Sequence, residues 1–227
     1  MKTVAVALLL LAAVFCWWLL FKRQIPGEER VARSVRAAAQ LADDGRRLGI
    51  HWPPAKLTLI ALKRERLLEI WVANQTGSFK MIREFPILAA SGTLGPKRKE
   101  GDRQVPEGVY GLPFLNPRSA YHLSILVDYP NKDDILNSKL ERSEMGGEIF
   151  VHGKAVSIGC IAIGDDAIEQ VYGIAQLVPA ANRTIIICPV DFRREPGFRL
   201  PNEEPWVNER YAQLERLLSQ FKKTGEK

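Results

Sequence analysis

The apolar positions change period along the chain, and each change marks an element. Residues 4–21 read VAVALLLLAAVFCWWLLF, eighteen residues without a charge, bounded by Lys2 and by Lys22-Arg23. At about 1.5 Å per residue such a run spans about 27 Å as a helix, close to the roughly 30 Å of a bilayer core. A cleaved leader should end in small residues, but this run ends Trp17-Trp18-Leu19-Leu20-Phe21. Phe15 likewise stands where lipoprotein processing at Cys16 would need a small residue. The pattern predicts an uncleaved membrane anchor over 1–23, with the tryptophans near an interface.

Beyond Ile25-Pro26-Gly27 the period becomes helical. Over 28–48, Val31, Val35, Ala38, Leu41 and Ala42 recur at three- and four-residue spacing. The polar face carries Arg30, Arg33, Arg36, Arg46 and Arg47. That face suits either a solvated stalk or a helix lying on a membrane or a partner. Trp52-Pro53-Pro54 closes this linker, so 24–54 is expected to be a juxtamembrane helix and connection.

From Leu57 the period is two. Leu57, Leu59 and Ala61 alternate, as do Leu68, Ile70 and Val72, with Arg64-Glu65 between them, so a hairpin is predicted. Further strands are expected over 85–91, 108–112, 122–127, 149–152 and 184–190, with a short helix over 171–177. Many short strands separated by Gly and Pro turns predict a mainly β fold, a sandwich or barrel-like core over 55–192. The extension 193–227 holds Trp206, Leu214, Leu217, Leu218 and Phe221 on one side of a helix that should dock on the domain.

Composition narrows the partners. The 227 residues carry 32 Lys and Arg against 26 Asp and Glu, a net charge of +6, which suits an anionic surface or acidic polymer. No arginine-rich stripe or aromatic RNA motif accompanies that charge, so no nucleic-acid partner is expected. Three cysteines (Cys16, Cys160, Cys188) are too few for a disulfide scaffold.

The candidate chemistry lies in one stretch, Ile149-Phe150-Val151-His152-Gly153-Lys154-Ala155-Val156-Ser157-Ile158-Gly159-Cys160-Ile161-Ala162. A cysteine attacks carbonyls as its thiolate and needs a group to take its proton. Histidine suits that task because it titrates near neutrality. A short loop can bring Cys160 back to His152. Gly159 would let the amides of Gly159 and Cys160 face a carbonyl oxygen as an oxyanion hole. Two plainer readings compete: Cys160 as a small buried hydrophobe and His152 as a structural strand end. A zinc site would need four ligands, and His51 and His122 lie far from the pair in sequence. Cys188, within Ile185-Ile186-Ile187-Cys188-Pro189-Val190, reads as core. No Walker loop or dinucleotide fingerprint occurs, so no cofactor and no metal is expected.

His152-Gly153 followed by Ser157-x-Gly159-Cys160 resembles the active-site signature of L,D-transpeptidases, the YkuD-type catalytic domain. Gly101-Asp102-Arg103-Gln104-Val105-Pro106-Glu107-Gly108-Val109-Tyr110 is similar to a second family stretch, with Val105 replacing the usual threonine. His122-Leu123-Ser124 leading to Tyr129-Pro130-Asn131 resembles the branch that includes a peptidoglycan-editing amidase. The resemblance covers residues 56–192. It departs from the family pattern at Ile158, where a second histidine is usual, and at Ala162, where an arginine is usual. The short His-to-Cys spacing and Ala162 both resemble the amidase branch.

This resemblance implies a β-sandwich catalytic domain in which Cys160 is the nucleophile and His152 the general base and acid. The Gly153 carbonyl would orient the imidazole, and Ser157 and Gly159 would shape the loop and oxyanion hole. The substrate implied is a peptidoglycan stem peptide, with a wall-attached lipoprotein as a further partner. Its carboxylates are expected on Lys97-Arg98-Lys99 and Arg103, with His122 at the pocket wall; a solvated loop and a structural histidine are the plainer alternatives. Transfer to an amine, hydrolysis and a non-catalytic wall-binding role all remain open. The expected setting is the inner membrane, single-pass, with the domain in the periplasm, although the positive-inside rule alone would keep Lys22-Arg23 in the cytoplasm.

Overall fold

In a computed structural model, which describes residues 27–223, the alternation at 57–72 folds as β1 (Lys56–Leu62) and β2 (Leu67–Ala73), an antiparallel pair. The predicted anchor lies outside the described residues. Among the described residues no helix is long and apolar enough to cross a membrane. The remaining strands are β3 (Lys80–Pro86), β4 (Gly108–Gly111), β5 (Leu115–Asn116), β6 (Ser124–Leu126), β7 (Phe150–His152), β8 (Ile161–Ala162) and β9 (Arg183–Cys188). The helices are α1 (Gly27–Arg47), α2 (Lys132–Asn137), α3 (Asp165–Leu177) and α4 (Pro205–Leu218).

The strands form two sheets, ordered β3-β2-β1-β9-β4 and β5-β6-β7-β8. Each is mixed: β1 pairs with β9, and β7 with β8, in parallel. The central strands of the larger sheet are buried on both faces. Leu57, Leu59, Ala61, Ile185 and Ile187 enter the main core, while Ile60, Leu62, Ile186 and Cys188 enter a second one. The second core is closed by α4 through Val207, Tyr211, Leu214 and Leu218, so the C-terminal helix docks on the domain. Each such fully buried large side chain contributes roughly 1.5–3 kcal/mol, which fixes α4 to the sheet.

Two sequence expectations need correction. The helix expected as a stalk or membrane-lying element is α1, and it packs against α3 as part of the domain. Its inner stripe is small (Ser34, Ala38, Ala42 and Gly45 are buried), which lets the two backbones approach closely. A Cβ placed on Gly173 of α3 would stand 2.0 Å from the Ser34 carbonyl oxygen. The strand expected over 85–91 is divided. Its first half ends β3, and its second half leaves β2 to form a bridge from Ala89 to Ala162 of β8. That crossing carries Ser91 from one sheet to the other.

Candidate active site

The smaller sheet presents its functional side chains by register. Asn116 of β5 lies opposite Ser124 of β6, Ser124 opposite His152 of β7, and His152 beside Ala162 of β8. Side chains alternate faces along a strand, so this row shares one face while Val151, Ile125 and Ile161 enter the core on the other. Cys160 precedes β8 by one residue and comes level with Phe150 by the same register. Diagonal neighbours on a sheet face lie within side-chain reach. Asn116, Ser124, Phe150, His152 and Cys160 accordingly line one cleft of about 290 Å³.

The loop 153–160 joins two parallel strands with few residues, and it is fixed at several points. The left-handed turn falls at Lys154 (φ +56°), one residue after the glycine expected to make it. The Lys154 N–H donates to Asp165 Oδ1 at 2.8 Å and its Nζ to the Ala120 carbonyl at 2.7 Å. Gly153 is needed for space instead: a Cβ there would stand 2.6 Å from Asp165 Oδ1 and 2.8 Å from the Tyr121 carbonyl oxygen. At the far end, Ser157 Oγ donates to the Cys160 carbonyl at 2.6 Å, and Gly159 is left-handed (φ +88°).

His152 is buried, and its Nδ1 lies 2.6 Å from the Gly153 carbonyl oxygen. A carbonyl accepts only, so the proton sits on Nδ1 and Nε2 is left as a base. The Tyr121 ring packs on the imidazole, centroids 4.7 Å apart. Burial pulls the imidazole below its ordinary range, partly opposed by the bond to Gly153. Burial pushes the half-buried Cys160 thiol up, the Phe150 N–H lowers it, and the Glu148 charge raises it again. Both shifts favour the uncharged thiol and the uncharged imidazole.

Several expected substrate contacts are absent from this cleft. His122 is buried and turned away; its Nε2 meets Glu169 Oε1 of α3 at 2.8 Å. Arg103 is exposed outside the cleft lining, with its carbonyl accepting from Ser91 Oγ at 2.7 Å. The cations of the 97–99 loop are largely spent within the chain: Lys97 pairs with Asp102 at 2.6 Å, and Arg98 pairs with Glu203 and Glu204. The N–H of Gly159, expected in the oxyanion hole, donates to Ser91 Oγ at 2.6 Å. Of the two amides, that leaves only the one of Cys160 for the expected role.

Sequence reading missed Ser91, Tyr121 and Arg30, whose roles depend on distant contacts. Arg30 of α1 donates to the carbonyls of Ser119 (2.9 Å) and His122 (2.5 Å), bracing the 119–122 turn that holds Tyr121 on His152. No local pattern marks such a reach across some ninety residues. Glu148, also missed, carries a readable signal only in the glycines before it, Gly146-Gly147.

Residues 56–187 match the L,D-transpeptidase catalytic domain family, YkuD. A protein provisionally named L,D-transpeptidase YafK, from two strains of Escherichia coli, is 32% identical over 112 residues, 48% of this chain and 43% of that relative. The chain therefore matches less than half the length of this relative. Among solved structures, a variant of the helical cell shape determining protein Pgp2 from Campylobacter jejuni is 19% identical at TM-score 0.49, covering 81% of this chain and 62% of that one. Mycobacterium tuberculosis L,D-transpeptidase 1 is 18% identical at TM-score 0.34, over 59% and 62%. The family match spans more than half of the chain and includes both His152 and Cys160, and on it the chain belongs to the L,D-transpeptidase catalytic domain family.

Proposed function

We propose that the chain is a peptidoglycan-modifying cysteine enzyme acting on stem peptides. The observation that supports this reading is the shared cleft of Cys160 and His152, with the imidazole proton held on Nδ1 by Gly153. Cys160 Sγ attacks a stem-peptide amide carbon as its proton passes to His152 Nε2. The Cys160 N–H steadies the oxyanion, the C–N bond breaks, and His152 returns the proton to the leaving amine. The resulting thioester is then attacked by an amine, giving a new amide, or by water, giving a free carboxylate. Both outcomes regenerate the thiol.

The buried Ala162, where the family usually carries arginine, favours the second reading, an amidase or hydrolase acting on a peptidoglycan–protein linkage. The proposed setting is the periplasmic face of the inner membrane, held there by residues 1–23. Mass spectrometry of muropeptides incubated with the purified chain tests the whole reading. New cross-links identify transfer, released linkages identify hydrolysis, and an unchanged muropeptide profile with both nucleophile acceptors present would leave only a wall-binding role. A chain found in the soluble fraction would refute the anchor.

A further inference from the structure

Among the described residues, the cleft around Cys160 and His152 is lined by one cation, Arg118, and one carboxylate, Glu148. Arg118 follows β5, in the turn that runs from Asn116 to the 119–122 segment braced by Arg30. Glu148 stands just before β7 in a left-handed conformation (φ +54°), which costs a residue with a Cβ on the order of 1 kcal/mol. By the register of the sheet, Glu148 lies at the Cys160 end of β7, and Arg118 lies beyond the Asn116–Ser124–His152 row at the other end.

Both side chains are exposed, and among the described residues neither joins an ion pair, with each other or with anything else. The other cations near the site are different: Lys97 and Arg98 are paired within the chain, and Lys154 is held on the Ala120 carbonyl. The Cys160 thiol donates to the Glu148 carbonyl oxygen at 3.7 Å, which sets this residue beside the sulfur, where a carboxylate works against ionisation of the thiol. Among the described residues, an unpaired guanidinium and an unpaired carboxylate at opposite ends of one cleft suit a ligand that carries both charges.

We propose that Arg118 and Glu148 form a bipolar subsite bracketing Cys160 and His152, in which Arg118 takes a free carboxylate of the substrate and Glu148 a free ammonium. The ligand class is a zwitterionic peptide, such as a stem peptide whose diamino-acid residue keeps an unblocked amine and carboxylate. This assignment rests on the stem-peptide reading above and adds how the cleft selects its substrate. It also couples recognition to reactivity, because a bound ammonium screens Glu148 from the thiol.

The test uses the full chain in mild detergent carrying Cys160→Ala, titrated by calorimetry with a meso-diaminopimelate muropeptide in three forms: unmodified, amidated at its side-chain carboxylate, and acetylated at its side-chain amine. Each blocked group should weaken binding about tenfold or more, the range of a charge-assisted contact. Arg118→Gln should erase the penalty of amidation alone, and Glu148→Gln that of acetylation alone. Unchanged discrimination in these variants overturns the subsite while leaving the stem-peptide reading intact; failure of the parent to bind any form overturns both. A second measurement needs no ligand: with Cys160 restored, Glu148→Gln should speed alkylation of the thiol at pH 7–8 severalfold. An unaltered rate there would show that Glu148 does not face the nucleophile, and the subsite would fall.

Discussion

Ser91 Oγ accepts the N–H of Gly159 at 2.6 Å, so a residue from the crossing between the two sheets fixes the glycine beside Cys160. The same hydroxyl donates to the Arg103 carbonyl at 2.7 Å. Three separated segments thus meet at one oxygen, and the left-handed turn at Gly159 is held from outside its own loop.

Ser91→Ala should remove both bonds and free the Gly159 turn. The expected loss is about 1 kcal/mol of stability per bond. Acylation of Cys160 by a stem peptide should slow at least about tenfold if the Cys160 amide is displaced from the oxyanion position. Alkylation by a small reagent should barely change. Measured side by side, equal slowing in both assays would mean that Ser91 holds the thiol itself.

The two glycines of the 153–160 loop should fail for different reasons. A Cβ at Gly159 meets only ordinary contacts, Gln104 O at 3.5 Å and Ile149 Cδ1 at 3.7 Å, so the cost of Gly159→Val is the left-handed backbone, about 1–3 kcal/mol. At Gly153 the backbone is ordinary but the space is filled, and Gly153→Ala must displace Asp165 or the Tyr121 carbonyl. The prediction is that Gly153→Ala disturbs His152 and shifts the acid limb of the pH–rate profile. Gly159→Val should lower the rate at least about a hundredfold without moving that limb. Profiles displaced alike in both variants would refute the distinction.

The protonation states give a signed pH dependence. Burial raises the Cys160 thiol, so its thiolate fraction is small at neutrality and grows as pH rises through and beyond the usual thiol range. Burial lowers His152, so the neutral base persists at neutral pH and is lost only as pH falls below the ordinary imidazole range. Alkylation of Cys160 should therefore climb steadily with pH, whereas acylation by substrate, which in the proposed mechanism uses His152 as base, should hold its rate down to mildly acid pH. An alkylation plateau beginning near neutrality would reveal a preformed thiolate–imidazolium pair instead.

The two described cysteines should separate cleanly. Cys188 lies fully buried in the second core, its thiol pushed far up by that burial. Peptide mapping after alkylation of the native chain should find label on Cys160 and none on Cys188. Cys160→Ala should abolish turnover with little change in stability. Cys188→Ala should keep turnover and cost about 1 kcal/mol. Activity lost equally in both would place the nucleophile elsewhere.

Arg30→Ala should loosen the 119–122 turn that seats Tyr121 on His152, although Arg30 lies outside the residues matched to the family. Loss of a charged donor to two part-buried carbonyls should cost about 1–3 kcal/mol. If the helix positions the histidine, the acid limb of the pH–rate profile will move as well, and Arg30→Lys will restore part of it. A thermal shift with an unmoved profile would make the contact purely structural.

Much of this was legible in the sequence because it is local. The period-two run at 57–72 gives the hairpin wherever it packs, the one-sided helix near the C-terminus must bury its apolar face, and the His152-to-Cys160 stretch carries its chemistry in its residue types. Pairing between distant strands is not local. Whether β8 would lie parallel to β7, bringing Cys160 level with Phe150, depends on hydrogen bonds that a two-residue strand cannot announce by any pattern. The small-residue stripe of α1 has meaning only against Gly173 of α3. Charges follow the same rule: Lys97, Arg98 and Arg103 looked available as a basic loop, yet the fold supplies Asp102, Glu203 and Glu204 to two of them and leaves the third outside the cleft. Sequence determined which residues could carry the chemistry, because reactivity belongs to side chains. Tertiary structure decided which of them share a cleft and which charges remain free within it, because proximity and burial are set by the register of the whole sheet.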